Sequence, residues 1–290
     1  MTIGLRVSVQ TIFGALQGVP RLIKLLDKYS AKATFFFAMG PDTNGLSIKQ
    51  LRQSLSLRYF NYKSINYRAI LRLQTFETDC KDILKLTRNN GFEIGVDRFN
   101  STSWKNNARS ASSKWTELQM QRTNSIFIEL SGKAPKASSA PFWQMNRDAY
   151  RLNQRLGYAY TSDTRGTHPF LPIFDGEIIS CPQVPTTLPT IPEMMQGKRK
   201  EPNLVLQSTI EHMNGLNHLI YGAHAEMEGG PYYSHFDKLL QNWSEKKHDI
   251  VSLQQYLERS VENLPRHNII TRKIPGFINP LAYQGPEFLG

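Results

Sequence analysis

Strand-like and helix-like segments alternate along nearly the whole chain, and this constrains the fold more than any other feature. Residues 3–9 alternate apolar with small or polar side chains, the period of a strand. Residues 18–29 then read as a helix, with Leu22, Leu25, Leu26 and Tyr29 on one face and Pro20 in the first turn, where a missing N–H costs nothing. Residues 33–38 (ATFFFA) are an apolar run of strand length. A helix over 78–89 stops at Asn89-Asn90-Gly91. The same reading gives strands near 92–96, 136–140, 158–162, 218–223 and 249–253, and helices near 113–131, 146–156, 232–247 and 254–261. Strand–helix alternation of this kind predicts parallel strands joined by helical crossovers, here one α/β barrel-like domain over residues 1–261. Two stretches break the rhythm. Residues 178–203 carry five prolines and the run Gly197-Lys198-Arg199-Lys200, which predicts a long loop. Residues 262–290 carry four prolines and little periodicity, which predicts an irregular C-terminal tail.

Composition narrows the class. Apolar residues make up 40% of the 290, enough for a sizeable core and too many for a disordered or collagen-like chain. Two cysteines do not make a disulfide scaffold and point to a reducing compartment. Residues 1–11 read as a strand rather than a secretory leader, and no window reaches the ~18 apolar residues of a membrane span. The expectation is a cytoplasmic protein. The formal charge of 35 − 24 = +11 favours an anionic partner: nucleic acid, phospholipid headgroups or a phosphorylated substrate.

Residues 43–76 sharpen that choice. Lys49, Arg52, Arg58, Lys63, Arg68 and Arg72 are interleaved with leucines and aromatics, and no acidic residue is present. This suits a basic amphipathic insertion lying on an anionic membrane surface, where each cation is worth about 1 kcal/mol. A pair of ordinary amphipathic helices with a solvated basic face is the plainer reading. No nucleic-acid reader motif occurs, so nucleic acid is not expected as a partner. The chain also lacks H-E-x-x-H, paired C-x-x-C, P-loop, G-x-G-x-x-G and G-x-S-x-G motifs.

Eight segments, in order, resemble the polysaccharide deacetylases of the NodB-homology type. They are GLRVSVQT (4–11), GVPRL (18–22), ATFFF (33–37), GPD (40–42), FEIGVD (92–97), SDTRG (162–166), VPTTLPT (184–190) and GAHAEMEG (222–229). Within that family the chain is most similar to the branch that deformylates undecaprenyl-phosphate-linked 4-deoxy-4-formamido-L-arabinose. The resemblance implies a distorted (β/α) barrel with its site at the C-terminal ends of the strands. It also implies metal-assisted amide hydrolysis: one Asp and two His hold the metal, a second Asp is the base, and a late His protonates the leaving amine.

Carried over residue by residue, those positions are degraded. The base position is Ser8, and the first metal position is Gln10. The two histidine positions of the second motif are Asp97 and Ser101, with Arg98 bringing a positive charge beside them. The third motif, Pro141-Phe142-Trp143-Gln144, lacks the arginine that orients the base. His224 alone keeps its place as leaving-group acid. Asp97 is expected to pair with Arg98 or Arg165 in preference to a metal. Asp163, Arg165 and Glu226 are candidates for the wall of a sugar pocket.

The expectation is a catalytically inactive homologue on the inner face of the cytoplasmic membrane. It would bind a polyprenyl-phosphate sugar or a partner enzyme in lipopolysaccharide, lipid A or envelope modification, with no cofactor. The alternative is an active deformylase or deacetylase with a rebuilt site, holding Zn, Mn or Co. A purely structural partner subunit is the third possibility.

Overall fold

The structure is a computed structural model that describes residues 1–40, 76–194, 202–260, 263–275 and 277–289. The basic residues Lys49 to Arg72 and the Gly197–Lys200 run lie outside the described residues. Strand β1 (Thr2–Val9) is central. It pairs in parallel with β2 (Thr34–Phe37) and β8 (Leu219–His224), and its first residues pair with β9 (Asp249–Val251). Beyond β2 the sheet continues through β3 (Glu93–Val96), β4 (Ala137–Ser139) and β5 (Tyr160–Ser162), all parallel. No strand joins β5 directly to β8 among the described residues. Residues 182–188 fill that gap as extended chain: the Val184 N–H donates to Thr161 O, and the Thr187 and Leu188 N–H groups donate to Ile220 O. The result is the (β/α) barrel expected from the alternation, closed on one side by a proline-rich segment rather than by a regular strand.

Helices cover the outside. Helix α1 (Val19–Lys28) carries Pro20 in its first turn, and buries Leu22, Leu25 and Leu26 with Ile3, Leu5, Val7 and Val9 of β1 in one cluster. Helix α2 spans Phe76–Asn89. Helix α3 (Ser101–Asn107) starts at Asn100, whose side chain accepts from the Ser103 N–H at 2.7 Å. Helix α4 (Ser113–Ser131) is capped by Ser112 and ends at Gly132 in the left-handed region. Helices α5 (Arg147–Arg155), α6 (Ile191–Met194), α7 (Pro202–Met213), α8 (Tyr233–Glu245) and α9 (Leu253–Ser260) complete the described set. No helix among the described residues is long and apolar enough to cross a membrane.

The inward face of β1 is Gly4, Arg6 and Ser8, because successive side chains of a strand point to opposite faces. At the N-terminal end of the barrel the interior is plugged by Phe36, Tyr160, Val184, Ile220, Val251, Leu253 and Tyr256. Gly4 packs closely here: a Cβ on it would sit 3.1 Å from the Tyr256 ring, tighter than an ordinary contact. At the other end Gly18 has a similar role. It lies in the π-helical turn Gly14–Gly18 against the loop after β8, and a Cβ there would lie 2.1 Å from Ala225 O. This close approach explains glycine at the head of the GVPRL segment.

Residues 262–290 differ from the expected irregular tail. They form β10 (Arg266–Arg272) and β11 (Leu281–Glu287), an antiparallel hairpin in a second sheet with β6 (Leu171–Phe174) and β7 (Glu177–Ile178). A register shift between His267 and Ile269 breaks the period-two pattern that would have marked the strand. Pro275 and Pro280 fall in the connection between the strands. Within the expected long loop at 178–203, the described part contains the barrel-closing segment and α6.

Candidate functional site

Arg6 sits at the floor of the C-terminal end of the barrel, 3% exposed. Its Nη1 donates to Ser162 O at 2.6 Å and Ser162 Oγ at 2.8 Å, and its Nη2 donates to Ser8 Oγ at 3.2 Å. Burial pulls its pKa down to about 10, opposed by the charges of Asp97 and Asp163. The Ser8 hydroxyl, at the base position, is therefore an acceptor for a buried guanidinium. A hydroxyl so placed cannot take a proton near neutral pH as a carboxylate would.

The metal positions are joined to each other. Gln10 Nε2 donates to Asp97 Oδ2 at 2.9 Å, and Asp97 Oδ1 accepts the Arg98 backbone N–H at 2.9 Å. Asp97 is fully buried, which raises its pKa to about 6 against the pull of the Gln10 bond and of Arg6. Ser101 Oγ is buried and has no hydrogen-bond partner among the described residues. A hydrolytic divalent ion needs three or more lone-pair donors, chiefly imidazole or carboxylate, facing one point. Here an amide N–H covers one carboxylate oxygen, a backbone N–H covers the other, and the third position is a neutral hydroxyl. The residues present do not fit the metal that the resemblance implies. Among the described residues no group of three or more His, Cys, Asp or Glu side chains is arranged to hold one.

The pairings around Asp97 and Asp163 differ from those expected. The Arg98 guanidinium turns away from Asp97. Its Nη2 lies 3.3 Å from Asp163 Oδ1 and its Nη1 donates to Ser138 Oγ, while the group stacks over the Trp104 ring at 4.9 Å. Asp163 Oδ2 also accepts from Asn153 Nδ2 at 2.6 Å. Ser162 points inward to Arg6, so Asp163 points outward, behind the pocket rather than onto its wall. Arg165 also lies behind the wall. Its guanidinium donates to Leu188 O at 2.7 Å, pairs with Glu193 at 3.1 Å and lies 5.3 Å from the Trp143 ring centroid. Glu226 Oε1 accepts the Gln10 backbone N–H at 3.1 Å, tying the loop after β8 to the end of β1. None of Asp163, Arg165 and Glu226 lines the pocket.

The pocket itself is narrow, with a cavity volume of about 30 Å³. Arg6, Ser8, Gln10 and His224 form its polar side; Phe142, Trp143, Pro192 and Phe277 form an apolar and aromatic side. Phe142 (φ 54°) and Trp143 (φ 50°) are both held in the left-handed region, which is uncommon for bulky residues and gathers at binding sites. Trp143 meets Phe277 edge to face at 5.7 Å. Burial, and then the charge of Arg6, pulls the His224 pKa down to about 4. At neutral pH this ring is therefore an uncharged imidazole. The backbone behind it is fixed by Glu228, whose Oε2 accepts the His224 N–H at 2.8 Å and whose Oε1 accepts the Tyr221 hydroxyl at 3.0 Å. Burial raises the Glu228 pKa to about 7. Arg6 and Glu228 are missing from the residues singled out by sequence. The alternation of β1 puts Arg6 on the same face as Ser8 and Gln10, and that signal was available; Glu228 lies within the GAHAEMEG segment, where nothing distinguishes its role from that of Glu226.

The family match follows these features. The sequence model described as polysaccharide deacetylase matches residues 14–161, about half of the chain. A protein of Wigglesworthia glossinidia brevipalpis, described as a probable 4-deoxy-4-formamido-L-arabinose-phosphoundecaprenol deformylase ArnD, is 30% identical over 93% of this chain and 98% of its own length. One from Shewanella sediminis with the same description is 25% identical over 97% and 94%. Among solved structures, a polysaccharide deacetylase from Mycobacterium smegmatis superposes with a TM-score of 0.64 at 15% identity, over 89% of each chain. A CE4 family pseudoenzyme from Bacillus anthracis gives 0.55 at 13%, over 92% of this chain and 69% of that one. The barrel, the ordered segments that build its pocket and these matches lead to one conclusion: the chain belongs to the polysaccharide deacetylase family.

Proposed function

We propose that this chain is a catalytically inactive member of its family that uses the pocket at the C-terminal end of the barrel for binding. The observation that carries this reading is the Gln10–Asp97 hydrogen bond, with Ser8 held under Arg6 beside it. Two of the groups that would hold a metal, Gln10 and Asp97, here bond each other, and the group that would activate water is bonded to Arg6. The ligand proposed is an undecaprenyl-phosphate-linked amino sugar, the compound class in the names of the two ArnD-type relatives. The aromatic side at Phe142, Trp143 and Phe277 suits a sugar face, and Gln10 and His224 offer neutral hydrogen-bonding groups. The basic segment Lys49 to Arg72 would bring the chain to the inner face of the cytoplasmic membrane, where a partner enzyme of lipopolysaccharide or lipid A modification would act.

A second reading, an active amide hydrolase with a rebuilt site, is favoured by one observation. Asp97, raised to about 6, is a carboxyl poised near neutral pH beside the pocket residue Gln10.

Titration with Zn, Mn and Co and an amide-hydrolysis assay on the formamido sugar lipid decide between the two. The proposal expects no stoichiometric metal and no turnover, with binding of the sugar lipid retained. One tightly bound metal per chain with turnover overturns it. The quadruple variant Ser8→Asp, Gln10→Asp, Asp97→His, Ser101→His rebuilds the family pattern and is expected to gain metal binding. A mutant of the Bacillus anthracis pseudoenzyme is described as having restored enzymatic activity, which is the precedent for this design.

A further inference from the structure

Away from the pocket, His168, in the segment after β5, and His267, on β10, face each other with their Nε2 atoms 3.0 Å apart. The hydrogen bonds around them settle where the ring protons lie. Gln284 Oε1 accepts the Thr167 backbone N–H at 2.7 Å, so the other end of that amide is its NH₂, 3.0 Å from His168 Nε2. His168 Nε2 must therefore offer its lone pair. The Thr167 hydroxyl donates to Gln284 Oε1 at 3.1 Å and so accepts from His168 Nδ1–H at 2.9 Å. His267 Nδ1 lies 2.9 Å from Gly285 O, an acceptor only, so Nδ1 carries a proton there. If both rings were neutral, two Nε2 lone pairs would face each other at hydrogen-bond distance. One additional proton removes that repulsion, placed on His267 Nε2 and donated to His168 Nε2.

We infer that His168 and His267 form a proton-sharing clasp that fastens the β10–β11 hairpin to the barrel. A divalent ion does not suit the gap, because the Gln284 amide N–H already points at the His168 lone pair. Two other titratable groups face the pair among the described residues. His218, just before β8, has its ring 5.9 Å from that of His168 and its Nδ1 3.1 Å from the hydroxyl of Tyr256 on α9. Glu287 on β11 stands opposite His267 in the hairpin register and its charge favours a proton on the pair. Arg266 adjoins His267 along β10, so its side chain leaves the strand on the opposite face. Burial, then the positive charges of His267 and His218, pulls the His168 pKa down, which agrees with His168 as the neutral acceptor.

The clasp has a consequence at the pocket. The connection between β10 and β11 carries Phe277, which packs on Trp143, and Pro280, whose carbonyl accepts from Gln144 Nε2 at 3.1 Å. The hairpin that the clasp fastens therefore also completes the aromatic wall. This inference does not depend on the proposed function.

The test is ¹H–¹⁵N NMR of the imidazoles in the intact chain at about pH 7.5, about one unit above the ordinary histidine value. One ring with both nitrogens protonated is expected in the wild type, and its return to the neutral form is expected in His168→Phe, which has no lone pair to accept. Neutral imidazoles throughout the wild type overturn the inference, as does a charged ring that persists unchanged in the variant. If His168→Phe fails to fold, the wild-type spectrum decides alone.

Discussion

The two ends of the barrel are held by different forces. At the N-terminal end the contents are Phe36, Val184, Ile220, Val251 and Leu253, with Tyr160 and Tyr256. Their stabilisation comes from apolar area, about 1.5–3 kcal/mol for each large side chain fully removed from water. The polar group admitted there, Glu93, accepts from Thr34 and Tyr160 and from the Gln254 N–H at 3.2 Å, so it is well satisfied. At the C-terminal end Arg6, Asp97, Arg98, Asp163 and Glu228 are buried, and each depends on a specific partner. An apolar plug tolerates approximate packing, whereas a buried ionic group does not tolerate loss of its partner. The comparison shows where the sequence is free to drift. Ser8 and Gln10 stand at the chemically demanding positions, and there Ser8 bonds Arg6 while Gln10 bonds Asp97.

The largest expected effect comes from breaking a pairing at the C-terminal end. Arg98→Ala leaves Asp163 buried against Asn153 without its cation, and should cost about 3–5 kcal/mol in urea unfolding. At the opposite end Gly4→Ala places a methyl group 3.1 Å from Tyr256, and should cost about 1–3 kcal/mol through overpacking. If Gly4→Ala proves the costlier, the plug is the more exacting end and the contrast is reversed.

The next effect is read in pH. Asp97 and Glu228 hold their protons more tightly folded than unfolded, at about 6 and about 7. Such groups stabilise the fold fully below their ordinary values of about 4 and lose that contribution as pH rises through the folded values. The melting temperature of the wild type should therefore fall relative to Asp97→Asn between about pH 4 and 6, and relative to Glu228→Gln between about pH 4.5 and 7. A wild type that gains on Asp97→Asn as pH rises would mean that its carboxylate, not its acid, is the stabilised form.

The same contrast explains what was legible in the sequence. Periodicity reports burial against an apolar neighbour, so β1, β2, α1 and α4 could be read. Their outward faces Leu5, Val7, Phe35 and Phe37 and the stripe Leu22, Leu25, Leu26 follow periods of two and 3.6. The β10–β11 hairpin could not, because its bulge breaks the period and much of it is exposed. Helix α7 was hidden by its position after a proline-rich run, with Pro202 opening it. At the site, the positions of Ser8, Gln10, Asp97, Ser101 and His224 followed from ordered segments. The roles of Asp163, Arg165 and Glu226 depended on which way a side chain leaves a strand end. For Asp163, parity with the inward Ser162 sets that direction, and composition cannot reveal it.

The smallest expected effect on stability falls on the residue that the pocket shares with the family pattern. His224→Gln removes a half-buried ring with no charge at neutral pH, so at about pH 7.5 the change should be about 0.5 kcal/mol or less. Its pH signature runs opposite to that of Asp97. A histidine whose folded value lies near 4, below its ordinary value of about 6.5, stabilises the fold above that ordinary value and loses this as pH falls. The wild type should therefore lose stability relative to His224→Gln as pH falls from about 6.5 to about 4, while it gains relative to Asp97→Asn over the overlapping acid range. Two residues of one site would then give slopes of opposite sign in the same melting series. Equal slopes would mean that His224 is charged in the folded protein, and the pocket would then present a cation to its ligand in place of a neutral imidazole.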